Sequence, residues 1–146
     1  MHATETNIDC LNSLLRGELA ATETYQQAFT KMEATAFVEK LRPIHVEHRE
    51  AANTWRQHIH DFGGKPDQDS GVWGTWAKVV EGTAKLFGIS TALTALKKGE
   101  EQGVKDYEAA LNDPELPAEC KSLILNQLLP QTRAHIRLLD DMLASA

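Results

Sequence analysis

Apolar residues recur along most of the chain at alternating intervals of three and four, the spacing that gathers them on one face of an α-helix. Four such stretches predict helices at about residues 6–32, 35–62, 90–112 and 116–144. Between the second and third, residues 63–88 open with a polar, glycine-containing run and then turn apolar, which predicts a long connection containing a short helix. The pattern therefore predicts an all-α protein with four long helices and one crossover.

Two of the predicted core faces contain a glutamate where an apolar residue is expected. Glu18 and Glu100 take these positions, and each is followed seven residues later by a tyrosine, Tyr25 or Tyr107. An offset of 82 residues superposes the two stretches. The residues of the two faces are Leu11, Leu14, Glu18, Ala21, Tyr25, Ala28 and Met32 in the first helix, and Leu93, Leu96, Glu100, Gly103, Tyr107 and Ala110 in the third.

A second repeat, at an offset of 87 residues, relates the second and fourth helices. It pairs Pro43 with Pro130 and His48 with His135, and both histidines lie on apolar faces. Each half of the chain is thus a glutamate helix followed by a histidine helix, and two copies are too few for a solenoid. The repeats predict an antiparallel four-helix bundle of two pseudo-symmetric hairpins. Pro43 predicts a kink or a local break inside the second helix.

Length and composition fit a single domain over residues 1–146. The chain is 42% hydrophobic and 25% charged, and its 15 basic and 21 acidic residues give a net charge of −6. Without a basic cluster, this charge disfavours binding to nucleic acid or to an anionic membrane. We expect a cytoplasmic protein, because neither a secretory signal nor a membrane span is visible. Cys10 and Cys120 are expected to be free thiols.

The chemistry of the chain is concentrated in the four polar residues on the apolar faces. A four-helix arrangement directs Glu18, His48, Glu100 and His135 toward the bundle axis. A buried carboxylate without a partner costs several kcal/mol, so such groups are paired, protonated or bound to a metal. A divalent ion would supply the missing positive charge, and neutral imidazoles would add nitrogen ligands. We therefore predict a metal site with these four residues as ligands.

Three further residues are candidates for a supporting role. His45 lies one helical turn before His48 and could add a third nitrogen, giving a mixed site suited to zinc, iron or copper. Tyr25 and Tyr107 could each donate a hydrogen bond to a carboxylate across the bundle and so fix its orientation. The alternative for both tyrosines is ordinary aromatic packing with a satisfied hydroxyl. Glu47 is placed to reach the site only at its edge.

A glutamate followed seven residues later by a tyrosine, in two of four helices, resembles the ferritin-like superfamily, which includes rubrerythrins and bacterioferritins. More narrowly, Leu96-Lys97-Lys98-Gly99-Glu100 through Tyr107, together with the loop Gly63-Gly64-Lys65-Pro66, resembles an uncharacterised bacterial family of ferritin-like four-helix-bundle proteins. The resemblance implies a bundle with one long crossover and a di-metal carboxylate site. Such a site is built from two lone glutamates and two Glu-x-x-His motifs.

Four of the six residues of that set are present in this chain. Glu18 and Glu100 match the lone glutamates, and His48 and His135 match the histidines. Where the bridging glutamates should stand, the chain has His45 and Thr132. The resemblance therefore implies a reduced site for one or two divalent ions, with iron or zinc as the candidates. A standard oxygen-activating di-iron centre is disfavoured, because two carboxylates neutralise only one divalent ion.

Two functions follow from this reading. The first is a small metal-binding protein of metal handling or stress response, in which any catalysis would be iron-dependent oxidation of the ferroxidase kind. The second is a non-catalytic bundle that acts by protein–protein contact and keeps a vestigial polar core. Storage within a 24-subunit shell is a weaker third. No residue is assigned a catalytic role, and we expect a homodimer formed through exposed apolar positions of the crossover or an outer helix face.

Overall fold

The computed structural model describes residues 5–32, 35–70 and 88–146, and its regular elements are helices. The first three helices are α1 (Glu5–Lys31), α2 (Thr35–Asp61) and α3 (Ile89–Leu111). The fourth rod of the bundle joins α4 (Ala118–Leu123), a π-helical turn (Ile124–Leu128) and α5 (Leu129–Ser145). The predicted all-α four-helix bundle is confirmed. Among the described residues, no helix combines the length and apolar character required to cross a membrane.

The helices begin and end within two residues of the bounds that the apolar pattern predicts. The bounds agree because each helix buries an apolar face against its neighbours, and the apolar pattern marks the extent of that face. The short helix predicted within the crossover, with Trp73 and Trp76, falls in residues 71–87 and lies outside the described part of the chain.

Contacts between named residues give the direction of each helix. Gly64, just beyond the end of α2, lies against Ile8 at the start of α1, so these two helices are antiparallel. Helices α1 and α3 are also antiparallel, because Tyr25 contacts Glu100 while Tyr107 contacts Glu18. Helices α2 and α3 therefore run in the same direction, and the connection between them must travel the length of the bundle.

The last rod returns antiparallel to α3 and completes the bundle. Lys97 near the start of α3 pairs with Asp140 near the end of α5 at 2.6 Å. Arg133 near the start of α5 lies 3.8 Å from Glu108 near the end of α3. The order of directions is thus up, down, down, up, with two hairpins joined by one long crossover.

Two glycines end α2 and turn the chain into the crossover. Gly63 has a φ of 82°, a left-handed conformation that favours glycine. The backbone N–H of Gly64 donates to the carbonyl of Ile59 at 2.9 Å, and that of Gly63 to the carbonyl of His60 at 3.0 Å. These bonds satisfy carbonyls that the end of a helix leaves open.

Two apolar clusters fill the bundle, one toward each end. One cluster contains Leu11, Leu15, Trp55, Ile59, Ile124 and Leu128, and the other Leu41, Ile44, Leu93, Leu96, Leu139 and Met142. Each fully buried side chain of this kind contributes about 1.5–3 kcal/mol. On every helix the predicted polar residue falls between the two clusters in sequence. The polar site is therefore enclosed by an apolar layer above and below.

The two prolines are accommodated differently. Helix α2 is continuous through Pro43, so it has no local break there, and the alternative of a kink at Pro43 stays a prediction. Pro43 lies on the exposed face, where water can bond the carbonyl that proline leaves without a donor. In the last rod, the π-helical turn directly precedes Pro130, and the N–H of Leu129 bonds the carbonyl of Ile124, five residues earlier. The wider turn takes up one extra residue before the segment that carries His135.

Both cysteines are free thiols, as predicted. Burial, with a smaller contribution from Glu119, raises the pKa of Cys120 to about 12. Burial also raises the pKa of Cys10. Because the thiolate is the reactive form, neither thiol is activated for chemistry.

Candidate metal centre

Four buried polar side chains, one from each rod of the bundle, lie between the two apolar clusters. Their exposed fractions are 6% for Glu18, 5% for His48, 2% for Glu100 and 4% for His135. Each takes the place of an apolar residue in its helical stripe, which is why the fold directs it inward. The structure places all four where the sequence predicts them, although their contacts are unequal.

His48 lies at the centre of these contacts. Its Nδ1 is 2.6 Å from Oε2 of Glu18, and its Nε2 is 2.8 Å from Oε2 of Glu100. Carboxylate oxygens accept hydrogen bonds, so a ring that faces a carboxylate with both nitrogens carries a proton on each. In this arrangement His48 is an imidazolium that joins the glutamates of the two halves.

The electrostatics of the site agree with that protonation state. Burial lowers the pKa of His48, but the Glu100 and Glu18 carboxylates outweigh it and raise the pKa well above its ordinary value. Burial likewise raises the pKa of Glu100, but His48 and His135 more than reverse this and hold it far below its usual range. The metal-free core is therefore a paired set of charges.

The two tyrosines cross between the halves of the bundle. The Tyr25 hydroxyl donates to Oε2 of Glu100 at 2.6 Å, and the Tyr107 hydroxyl donates to Oε1 of Glu18 at 2.5 Å. Burial first, and then the neighbouring carboxylate, raises the pKa of each tyrosine well above its ordinary value. Both hydroxyls thus remain donors and fix the orientation of the glutamates, which is the arrangement that the repeated spacing predicts.

Trp55 extends the network in a way that the sequence analysis missed. Its indole Nε1 donates to the Tyr107 hydroxyl at 3.1 Å, so Tyr107 accepts one bond while it donates another to Glu18. The signal was present in the spacing, because Trp55 follows His48 by seven residues just as each tyrosine follows its glutamate.

His135 breaks the symmetry of the site. Its Nδ1 is 3.4 Å from Oε1 of Glu100, and its Nε2 is 2.7 Å from Oε1 of Glu47. The Glu47 side chain is 38% exposed, which agrees with its predicted place at the edge. His48 therefore joins the two core glutamates, whereas His135 joins one core glutamate to the surface.

Three of the four residues form a group that could hold a metal ion. His48, Glu100 and His135 each offer one ligand atom, and these atoms lie within 4.8 Å of one another. Two imidazole nitrogens and a carboxylate oxygen form a donor set that suits zinc or iron. Glu18 lies on the other ring nitrogen of His48. The donor chemistry thus fits one divalent ion, with Glu18 beside the group.

The structure does not bring His45 into this group. Its ring packs edge-on against Phe29, with the centroids 5.6 Å apart, and its Nε2 is buried without a hydrogen-bond partner. Burial, then the charges of Arg49 and His48, lower the pKa of His45. At the equivalent position of the other half, Thr132 donates to the carbonyl of Leu128 in its own helix at 2.8 Å.

Comparison with known proteins gives a family but no described activity. The family model described as Domain of unknown function (DUF2383) matches residues 6–113, which span α1 to α3 and include Glu18, His48 and Glu100. His135 lies beyond the matched range. No curated protein and no solved structure matched the chain. Since the match covers most of the chain, the protein belongs to this uncharacterised family, Domain of unknown function (DUF2383).

Proposed function

We propose that the protein is a small ferritin-like metal-binding protein, acting in metal handling or stress response, that holds a divalent ion such as iron or zinc in its core. The observation that carries the proposal is the convergence of His48, Glu100 and His135. These three buried side chains come from three different helices, and their ligand atoms lie within 4.8 Å of one another.

The charge of the site supports a single ion. Glu18 and Glu100 are buried carboxylates, and the positive charge of His48 offsets one of their two negative charges in the metal-free state. A divalent ion would replace the proton that gives His48 this charge, leave His48 neutral as a ligand, and balance both carboxylates. Glu100, His48 and His135 would hold the ion, while Tyr25 and Tyr107 keep the carboxylates in place. Bound iron would supply redox chemistry, whereas bound zinc would not.

The topology supports the ferritin-like part of the proposal. Two helix hairpins joined by one long crossover, with a site built from side chains of facing helices, is the arrangement of that superfamily. The reciprocal bonds from Tyr25 to Glu100 and from Tyr107 to Glu18 agree with an origin by duplication.

One observation favours a second candidate, a non-catalytic interaction protein with a vestigial site. The hydrogen bonds among Glu18, His48, Glu100 and the two tyrosines form a closed network without a metal. Such a polar core can persist because it fixes the register of the helices. The two candidates differ in one measurable property, which is stoichiometric metal.

The test is elemental analysis of the untagged protein, with paired variants. We expect a divalent ion in the parent protein and its loss in Glu100→Gln and in His135→Ala. The matched controls are Glu101→Gln and His60→Ala, which change the same residue types at exposed positions and should keep the metal. A parent protein that holds no stoichiometric metal, and takes up neither zinc(II) nor anaerobic iron(II), would leave the second candidate.

Catalysis and assembly are tested separately. If the protein is a ferroxidase, addition of iron(II) in air should produce an iron(III) absorbance faster than in Glu100→Gln. We also propose a homodimer, and the exposed Leu125 and Val46 are the apolar positions available for it in the described chain. Sedimentation equilibrium of the parent and of Leu125→Glu would test that assembly.

A further inference from the structure

A cavity of about 30 Å³ lies between α1 and α3 and reaches the polar site. Its outer end is lined by Ser13, which is exposed, and by Asp106, which is half-buried. Its inner end is lined by the buried side chains of Glu18, His48 and Glu100. The volume is sufficient for a molecule of the size of water. Among the described residues, the cavity connects the surface of the bundle to the carboxylates of its core.

The walls of this cavity contain glycines that neither backbone conformation nor close packing explains. Gly17 and Gly103 lie inside long helices, where glycine is less stable than alanine. The positive φ angles among the described glycines belong to Gly63 and Gly88. A Cβ at Gly17 would meet no described atom within 4 Å, and one at Gly103 would only touch Thr132 at an ordinary 3.7 Å. Both positions thus have room for a side chain.

The repeat places small residues on both sides of the cavity. Gly17 of α1 corresponds to Gly99 of α3 at the offset of 82, and Ala21 corresponds to Gly103. All four line the cavity. A side chain added at Gly17 or Gly103 would occupy part of the cavity that these residues line.

We propose that Gly17, Gly99 and Gly103 keep open a passage through which a divalent cation reaches Glu18, His48 and Glu100 while the bundle stays folded. The proposal rests on the proposed function, because it assumes that an ion is the cargo. A ligand set that is almost fully buried would otherwise exchange its ion only when the core opens, a rare event in a packed bundle. The carboxyl group of Asp106 at the outer end favours a cation over an anion.

The test blocks the passage with a larger side chain and measures the rates of zinc(II) binding separately from its affinity. Gly17→Leu places a side chain in the cavity and replaces none of the ligand residues. Stopped-flow mixing of the metal-free protein with zinc(II) should then show association and dissociation both slowed roughly tenfold or more, with Kd changed by less than about twofold. A barrier slows both directions equally, whereas damage to the site changes the affinity.

Three variants serve as comparisons. Gly17→Ala tests helix propensity alone and should slow binding little. Ala109→Leu adds the same apolar bulk at an exposed position of α3 that does not line the cavity, and it should leave both rates unchanged. Ser13→Leu, at the exposed outer end, is a second blocking variant that leaves the core packing intact and should act like Gly17→Leu.

A metal-free measurement keeps the passage testable if the parent binds no ion. Exchange of the His48 ring N–H with water, followed by NMR of protein labelled with ¹⁵N-histidine, should be slower in Gly17→Leu and in Ser13→Leu but not in Ala109→Leu. If the parent binds no metal but exchange is slowed in the blocking variants, a metal ion is not the ligand, whereas the passage itself is supported. The proposed passage would be contradicted if both blocking variants bound zinc(II) at the rates of the parent. If no metal binds, it would be contradicted by unchanged exchange of the His48 ring N–H in both variants.

Discussion

At the scale of single residues, His48 joins the two halves of the bundle, because its ring contacts one carboxylate from each. Replacing it with leucine would leave Glu18 and Glu100 buried without their shared positive charge. We expect His48→Leu to lower the free energy of unfolding of the metal-free protein by about 3–5 kcal/mol, measured by urea denaturation. His60→Leu, at a side chain that is 78% exposed, should change it by less than about 0.5 kcal/mol. Equal losses in the two variants would contradict the role given to His48.

If the core holds a divalent ion as we propose, protonation of His48 also sets how the binding of that ion depends on pH. Since Glu100 and Glu18 raise the pKa of His48 well above its ordinary 6.5, an incoming ion must displace a proton at neutral pH. The apparent affinity for zinc(II) should therefore rise with pH, by up to about tenfold per unit for each proton released. Titration calorimetry in buffers of different ionisation enthalpy measures both the affinity and the proton release. An affinity that does not vary across neutral pH would contradict this assignment.

The same pKa shifts set the pH range in which the metal-free protein is most stable. The raised pKa of His48 adds stability that is fully present below 6.5 and is lost as pH rises through the higher folded value. The lowered pKa of Glu100 adds stability that is present above 4.5 and is lost as pH falls through the lower folded value. We expect maximal stability of the metal-free protein between these ordinary values, and urea midpoints across pH would measure it.

The two tyrosines allow a comparison within one molecule. Tyr25→Phe removes one hydrogen bond to a carboxylate, which is worth about 1.5–3 kcal/mol. Tyr107→Phe removes the equivalent bond and also leaves the buried Trp55 N–H without its acceptor. The Tyr107 variant should thus be the less stable of the two in thermal or urea unfolding. A larger loss for Tyr25→Phe would contradict the connection of Trp55 to the site.

At the scale of elements, Gly17 inside α1 and Gly64 beyond the end of α2 should respond to alanine in opposite directions. A Cβ at Gly64 would stand 2.7 Å from Ile8 and 3.1 Å from Ile59, whereas one at Gly17 would meet open space. We expect Gly64→Ala to destabilise the protein by about 1–3 kcal/mol and Gly17→Ala to stabilise it by about 0.4–1 kcal/mol. Denaturant midpoints measure both effects. The Gly64 variant tests the close packing at the end of α2, and the Gly17 variant tests the open space beside α1.

The apolar pattern predicts the helices well because each one buries a continuous face. It does not specify how the helices accommodate the two prolines. Pro43 lies on the exposed face of α2, and the helix continues through it. The π-helical turn before Pro130 adds a residue to the last rod, which the spacing of apolar residues does not encode.

At the scale of the whole molecule, the two offsets in the sequence become one pseudo-twofold arrangement. Helix α1 supplies a glutamate and a tyrosine to α3 and receives the same pair in return, so the four core positions could be predicted from the repeats alone. What could not be predicted is where the symmetry fails. His45 and Thr132 occupy equivalent positions, yet one packs against Phe29 and the other bonds its own helix.

Glu47 makes a contact that the sequence pattern does not predict. Ideal helix geometry places it about 100° away from His48, yet its flexible side chain reaches His135 on another helix. Contacts of this kind depend on rotamers and on the rotation of one rod against the next. The sequence therefore specifies which residues face the axis more reliably than which of them touch.

An equilibrium titration with zinc(II) decides whether this polar core binds a metal ion. Metal-free, untagged protein would be titrated with zinc(II) by calorimetry beside Glu100→Gln and its exposed neighbour variant Glu101→Gln. We expect saturable binding at about one ion per chain. This binding should be retained in Glu101→Gln and abolished or weakened at least about a hundredfold in Glu100→Gln. No stoichiometric binding in the parent, or equal binding in both variants, would contradict it.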